Sequence, residues 1–383
     1  MTACAIEPSA DQGNDGTPRA GCSLTVDGTY AARLAGRGEA RYPERWTLDG
    51  PEPYAVPLPG NQPEEPDTEV QPMGDGRVLI HRRTAGRHVF ALLYPTGPGT
   101  GELPLGGVRC PDDGTRLRLL PPAPDGETAY ALEVGPRSTA VWLVAGGTFG
   151  PEHLAEVPGR CSGGVWLDRT ARILALDRAV EGPAGPVVKT VVVDLERGGE
   201  VSPLLQIAAG SDDRLLLADP DSGLLLIRSD APAPGQGARL GWGVLGSTLP
   251  VRFPRCLRLP DRVVTPFATQ PGQMLTPERC AVALRVDGPT GSWVGMWRPS
   301  ERHLHQLPAP RGWLAGAGWW SADGLLQLPY STAERPCAVA ALAVPGSPDP
   351  RSGPHPEREP EPASAAPRPV PLQEAPLARL VTK

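Results

Sequence analysis

The stretch GWLAGAGWWSADGLLQLPY, Gly312 to Tyr330, sets a Gly-Trp-rich apolar run and a second apolar run on either side of Asp323-Gly324. An Asp-Gly pair reaches positive φ at little steric cost, so two apolar runs flanking it read as a β-hairpin. The arrangement returns along the chain. Strand-like runs begin with RVLIHRR at Arg77, ETAYALEV at Glu127, RILALDR at Arg172, GLLLIRSD at Gly223, RCAVALRV at Arg279 and GLLQLPYS at Gly324, at offsets of 50, 45, 51, 56 and 45 residues. Four of the six start at Asp75-Gly76, Asp125-Gly126, Asp221-Ser222-Gly223 and Asp323-Gly324.

The flanks repeat as well. Upstream of the turn lies an inner-strand candidate: GGVWLD at Gly163, RLLLADP at Arg214, VVTPFA at Val263 and GAGWWSAD at Gly316. Downstream lies a third strand, in HVFALLYP at His88, TAVWLVAG at Thr139, TVVVDLE at Thr190, RLGWGVLG at Arg239, SWVGMWRP at Ser292 and CAVAALAVP at Cys337. A shorter fourth strand closes most units, as in GELPLGG, EHLAEVPG, EVSPLLQI and HLHQLPAP.

Four antiparallel strands at a period of roughly 40 to 50 residues are what a propeller blade requires, because each small sheet leaves both faces apolar until neighbours stack on it. The expected fold is therefore all-β, a six-bladed β-propeller spanning residues 41–345, with seven blades as the alternative if residues 41–72 form a blade of their own. Residues 1–40 are expected to be mostly disordered, with a short possible helix near Tyr30 to Leu34. Residues 346–383 read as a Pro-rich disordered tail. YAVPL, from Tyr54 to Leu58, is expected to pair onto the last blade and seal the ring from opposite chain ends, which removes an open edge.

The period and the turn resemble the TolB-like and WD40-like bacterial propellers, and the non-catalytic propeller of prolyl-oligopeptidase-type serine peptidases. The resemblance covers about residues 46–345 and implies architecture alone. The Trp-Asp and Gly-His markers of WD40 repeats are missing, and the Gly-Gly pairs of kelch type fall at irregular intervals, so no site residue is carried over from those families.

Composition narrows function. The 383 residues hold 37 basic and 43 acidic side chains, a formal charge of -6, which offers no broad positive field for a phosphate backbone; nucleic acid is not an expected partner. Apart from Lys189 and Lys383 all of the basic residues are arginine. The first residues, MTACAIEPSADQGNDG, lack a basic and apolar leader, and no stretch reaches bilayer length, so a cytoplasmic location without membrane contact is expected. Seven scattered cysteines, Cys4, Cys22, Cys110, Cys161, Cys256, Cys280 and Cys337, include no C-x-x-C pair and read as reduced thiols.

A serine hydrolase would need a Gly-x-Ser-x-Gly elbow between a strand and a helix; the nearest string, GRCSGG from Gly159 to Gly164, has Arg160 in place of the first glycine and precedes a strand, which speaks against a catalytic Ser162. HLHQL places His303 and His305 on one side of a strand, a geometry for two zinc ligands or for a surface pair, while His81, His88, His153 and His355 show no matching spacing. DPDSG, Asp219 to Gly223, lacks the later acidic ligands of a calcium loop and reads as a hairpin turn. TGPGTG, Thr96 to Gly101, lacks the Gly-Lys-Ser/Thr ending of a phosphate cradle and reads as a loop between third and fourth strands. Trp166 and Trp320 recur at one phase of the inner strands, and Trp142, Trp242, Trp293 and Trp297 in third strands, which is the signature of packing between blades. Trp319, pointing opposite to Trp320, is the one assigned to a channel. PRPVP, Pro367 to Pro371, reads as a spacer, with docking into an aromatic groove as the alternative.

These readings assign no catalytic, cofactor-binding or metal-binding residue and imply no cofactor. They lead to a non-enzymatic scaffold that meets a protein partner or small ligand through loops at the ring faces. Two alternatives stay open: a propeller enzyme of hydrolase, lactonase or lyase type with polar residues at the central channel, and a detached regulatory propeller of a serine peptidase.

Overall fold

The computed structural model describes residues 21–36, 40–84, 86–110, 114–235, 237–271 and 276–344. Its strands form seven antiparallel sheets, each built from consecutive stretches of chain. Blade 1 is β1 (Ser23–Leu24), β2 (Tyr30–Ala35), β3 (Tyr42–Thr47) and β4 (Tyr54–Pro57). Blade 2 is β5 (Glu69–Pro72), β6 (Val78–Thr84), β7 (Arg87–Thr96) and β8 (Gly99–Arg109). Blade 3 is β9 (Arg116–Leu119), β10 (Ala129–Val134), β11 (Ser138–Ala145) and β12 (Glu152–Pro158). Blade 4 is β13 (Cys161–Trp166), β14 (Ile173–Gly182), β15 (Gly185–Asp194) and β16 (Glu200–Leu205). Blade 5 is β17 (Asp213–Ala218), β18 (Leu224–Ser229) and β19 (Arg239–Val244), extended by a single bridge from Trp242 to Arg252. Blade 6 is β20 (Val263–Thr269), β21 (Val282–Gly288), β22 (Gly291–Trp297) and β23 (His305–Pro308), and blade 7 is β24 (Trp319–Trp320), β25 (Leu326–Tyr330) and β26 (Ala338–Leu342).

Alternation along each strand sends successive side chains to opposite faces, and each face meets a different neighbour. In β18, Leu225 and Ile227 pack toward blade 4, whereas Leu224 and Leu226 pack toward blade 6. In β21, Val282 and Leu284 face blade 5 while Ala283 faces blade 7. The outcome is seven apolar seams, one between each consecutive pair of blades, with the last joining blade 7 to blade 1. A ring of sheets stacked face to face in this way is a seven-bladed β-propeller.

The hairpin in Gly312–Tyr330 is the first-to-second-strand turn of blade 7, and the runs beginning at Arg77, Glu127, Arg172, Gly223, Arg279 and Gly324 all supply second strands. The expected count of six is corrected to seven. The additional blade begins at Ser23, inside the segment 1–40 that was expected to lie outside the fold, and Tyr30–Ala35 is a strand, not a helix. Its physical basis is a fifth turn of the same kind: Asp27 Oδ1 accepts from the Thr29 N–H, and Gly28 takes φ +74°.

Ring closure is corrected with it. β4, the YAVP of YAVPL, pairs with β3 of its own blade, Trp46 facing Ala55 in register. Blade 7 and blade 1 meet through side chains: Trp46, Leu48, Ala31 and Cys22 against Ala317, Leu314, Trp319 and Val339. Trp319, assigned to a channel from the sequence, is the wedge of this seam, and a Cβ added to Gly28 would stand 2.1 Å from its Nε1. Trp46 is fully buried and donates from Nε1 to Glu44 Oε2 at 2.7 Å, so its one polar atom is satisfied.

Residues 1–20 and 345–383, with Cys4, His355 and the PRPVP stretch, lie outside the described residues. Among the described residues no helix is long and apolar enough to cross a membrane.

Candidate functional site

The turns at Asp27-Gly28, Asp75-Gly76, Asp125-Gly126, Asp221-Ser222-Gly223 and Asp323-Gly324 each join a first strand to a second, so they share one face of the ring. Their carboxylates are occupied locally. Asp75 Oδ1 accepts from the Arg77 N–H, Asp125 Oδ1 from the Glu127 and Thr128 N–H groups, and Asp219 Oδ2 from the Ser222 N–H. DPDSG is thus a turn, and Asp221 in it forms an ion pair with Arg169 of the preceding blade. The opposite face carries the starts of the inner strands and the second-to-third-strand turns, and the more unusual polar arrangements lie there.

The densest is in the channel wall at blades 3 to 5, and it contains Ser162. The ladder between β13 and β14 runs Ser162 to Asp177 and then jumps to Val165 with Ala175, so a bulge takes Gly163 and Gly164 out of register. Both need positive φ, +76° and +130°. A Cβ at 163 would press within 3.2 Å of Asp177 Oδ2, and one at 164 within 2.6 Å of Leu120, so glycine is required twice over. The Gly163 carbonyl accepts from Arg118 Nη2 at 3.3 Å, tying the bulge to blade 3.

From blade 5, Arg214 Nη1 donates to Ser162 Oγ at 3.3 Å and stands 3.9 Å from Asp177 Oδ2. Asp177 Oδ1 accepts from Thr190 Oγ1 at 2.7 Å and from the Leu215 N–H at 3.2 Å. Arg214 sits directly opposite Arg228 in the β17–β18 ladder, which sets two like charges side by side on one face. Burial and the Arg214 guanidinium push Arg228 below the usual arginine range, with Asp177 acting against them. The Ser162 hydroxyl accepts from the Arg214 guanidinium, a cation that cannot take up a proton, and lies 3.5 Å from the Asp177 carbonyl, to which it donates.

Behind this wall is a fully buried clamp. Lys189 Nζ donates to Asp213 Oδ2 at 2.7 Å, to the Ser211 carbonyl at 2.6 Å, to Ser211 Oγ and to the Ala208 carbonyl. Asp213 Oδ1 accepts from Ser211 Oγ at 2.9 Å and Ser229 Oγ at 2.6 Å, and Oδ2 also accepts from the Ile207 N–H at 2.9 Å. The clamp fixes β17, and with it Arg214, against β15.

A second polar row crosses blade 2. Glu69 Oε2 accepts from the Leu119 N–H at 2.8 Å and lies 3.0 Å from His81 Nδ1, and His81 Nε2 lies 2.7 Å from His88 Nδ1. Burial, with His81 and Arg83 beside it, brings His88 down to about 4. The unfolded chain therefore takes up this proton first as pH falls below about 6.5, so the contribution is intact above that value and is lost toward pH 4. Unfolding free energies from urea titrations at pH 7 and pH 4.5 should differ by roughly 1–2 kcal/mol more in wild type than in His88→Gln, the full linkage being reduced by solvent screening; an equal pH response would show that His88 does not carry it.

An open pocket of about 340 Å³ sits at the second-to-third-strand turn of blade 3, lined by Glu133, Arg137, Ser138, His153 and Glu156 among others. Trp142 donates from Nε1 to Glu133 Oε2 at 2.7 Å beside it.

His303 and His305 lie at the start of β23, rings 4.8 Å apart, with His305 Nε2 3.5 Å from Glu301 Oε2. Only His305 is within the strand. Among the described residues no group of three or more His, Cys, Asp or Glu side chains could hold a metal ion. Thr96 and Gly99 flank the hairpin turn between β7 and β8, as TGPGTG was read. Trp166, Trp242, Trp297 and Trp320 are buried, whereas Trp142 and Trp293 are half-buried.

The chain is a β-propeller by its own strand pairing. No family model matches it, and no curated protein does. Similar solved structures include TolB from Acinetobacter baumannii, at 11% identity and TM-score 0.44 over 81% of this chain and 78% of that one. Oligogalacturonate lyase from Vibrio parahaemolyticus is similar at 13% identity and TM-score 0.47, over 84% and 86%. Prolyl oligopeptidase B from Galerina marginata is similar at 10% identity and TM-score 0.48, over 81% of this chain and 46% of that one; the chain spans about half of that protein.

Proposed function

We propose that this propeller is a binding protein whose ligand or partner meets the face opposite the Asp-Gly turns, at the channel mouth of blades 3 to 5. The single observation that carries this is the Ser162–Gly163–Gly164 bulge. A local break in an otherwise regular ladder, requiring two glycines in left-handed backbone, is where propeller strands re-aim groups toward a channel. The arrangement supports binding in preference to turnover, because Ser162 is paired with a guanidinium and Asp177 is engaged by Thr190, Leu215 and Arg214.

Hydrogen exchange read by mass spectrometry during a screen of small metabolites tests it. Ligands that raise the melting temperature are expected to slow exchange in residues 161–166 and 213–218 while leaving the turns at 75–76 and 125–126 unchanged. Protection confined to those turns would move the functional face to the other side and end the proposal.

A further inference from the structure

We infer that the Asp-Gly face of blades 1 to 3 is a docking surface for a basic polypeptide segment that carries apolar side chains. The surface lies across the ring from the channel mouth of blades 3 to 5 and does not depend on the binding role proposed there.

Its apolar anchor is Phe149, 96% exposed in the connection between β11 and β12. Successive strands of a blade run in opposite directions, so this third-to-fourth-strand connection shares the face of the first-to-second turns. The loop is fixed at both ends. A Cβ on Gly150, at φ +101°, would stand 2.7 Å from the Leu105 carbonyl of blade 2, and one on Gly146, at φ +91°, would stand 3.0 Å from the Glu127 carbonyl. Between them the Thr148 N–H donates to Glu152 Oε1 at 3.2 Å. The ring is thus presented on backbone that is already ordered, which lowers the entropic cost of docking.

Phe149 has apolar company. Leu92 packs in the seam with blade 3, and Leu103 stands opposite it in register, with Tyr94 opposite Gly101 two residues on. Leu103 and Tyr94, 46% and 38% exposed, therefore lie on the side of blade 2 that faces the Phe149 loop. Half-buried Leu105 joins them to the seam. Exposed apolar residues scattered singly are ordinary, whereas a group continuous with a buried seam and rimmed by charge marks a surface that meets another molecule. In blade 1, Val26 and Tyr54 are exposed at the same face.

The rim decides the partner. The turns at 25–29, 48–53, 73–77 and 121–128 carry Asp27, Asp49, Glu52, Asp75, Asp125 and Glu127, all exposed. The single base in these turns is Arg77, which pairs with Asp75 at 2.6 Å. A hydrogen bond of 2.8 Å from the Gly74 N–H to the Gly126 carbonyl sets the Asp75 and Asp125 turns side by side. Neutral N–H and hydroxyl donors hold turn carboxylates without cancelling their charge, so the face keeps a negative field around its aromatic anchor. Such a field attracts a cationic partner and repels nucleic acid, anionic lipid and the same face of a second copy.

Fluorescence anisotropy of the full-length protein with a labelled peptide of alternating lysine and tryptophan, and with its glutamate counterpart, tests the inference. The lysine peptide is expected to bind and the glutamate peptide not. Phe149→Ser should weaken binding about tenfold, the scale of one buried aromatic side chain. Glu127→Gln should weaken it roughly threefold at low salt and hardly at all at high salt. Hydrogen exchange should slow in residues 94–105 and 146–152 and stay unchanged in 161–166. Should Phe149→Ser fail to fold, Tyr94→Ser replaces it, with the same direction expected. Equal affinity in wild type and Phe149→Ser, equal binding of both peptides, or no protection at 146–152 would overturn the inference, since net charge alone needs no anchor. It would also fall if sedimentation showed a dimer that Phe149→Ser dissociates, which would assign the face to a second copy. Vesicles of phosphatidylcholine bound through Phe149 would assign it to a lipid surface and end it likewise.

Discussion

Asp213→Ala is expected to lower stability by roughly 3–5 kcal/mol, because it strands the Lys189 ammonium in a buried seam. Few single changes in this chain should cost more. Asp213 has no exposed surface, and its two oxygens hold Lys189, Ser211, Ser229 and the Ile207 N–H together, so the loss removes one ion pair and three further hydrogen bonds. The whole stability of a folded domain is of the order of 5–15 kcal/mol, which makes the change visible in any urea titration. Replacing both partners, Lys189→Met with Asp213→Leu, should cost clearly less than the sum of the single changes, since no uncompensated charge remains. A loss under about 1 kcal/mol in Asp213→Ala would mean that the clamp does not hold blades 4 and 5 in register.

Lys189 also shows how far a sequence can point to such a feature. Apart from Lys383 it is the chain's one lysine among many arginines, and the structure gives the reason. Its ammonium radiates donors to two carbonyls, a hydroxyl and a carboxylate within one small space, where the planar fork of arginine would not fit. The oddity was legible, but its partners were not.

Ser162 is the reverse case. Its sequence context speaks against a nucleophile, and the structure places it beside Arg214, 52 residues away. That separation is about one repeat, so equivalent positions on adjacent inner strands become neighbours once the period is known. What the spacing could not supply is the register jump after Ser162, because a bulge is a two-residue departure that leaves the average period unchanged. The pairing of Arg214 with Arg228 was equally hidden, since it depends on a second register shift, in β17 between Leu215 and Leu217.

The blade count failed for a different reason. Asp27-Gly28 carries the same turn as blades 2, 3 and 7, yet the strand after it is YAARLA, with alanine where most of its counterparts have leucine, isoleucine or valine. The small residues are a packing consequence: Ala31 lies in the same seam as Trp46, whose indole fills the space that branched side chains take elsewhere. An apolar-run criterion therefore loses this hairpin while the turn criterion retains it. YAVPL was recognised as strand and given the wrong partner, because without β1 and β2 its blade did not exist.

The number of blades can be put to a decisive test. A chain starting at residue 41 should fail to unfold cooperatively and should aggregate, whereas a six-bladed ring would tolerate the deletion. The truncation removes β1 and β2, bares one face of Trp46, and opens the seams to both blade 2 and blade 7, where Ala32 and Ala31 are buried. Two exposed apolar sheet faces and an unpaired β3 edge are the conditions under which sheets associate between molecules. Gly28→Val probes the same closure without deleting anything. Its side chain would collide with Trp319 and sit in left-handed backbone, effects of about 1–3 and 1–2 kcal/mol that reinforce each other. Gly28→Val combined with Trp319→Ala should lose less than the sum of the two single changes, the shortfall being the part due to collision, while the part due to φ stays. A cooperative transition at an unchanged urea midpoint in the truncated chain would show that blades 2 to 7 close on themselves, and the side-chain seam at Trp319 would then have no structural role.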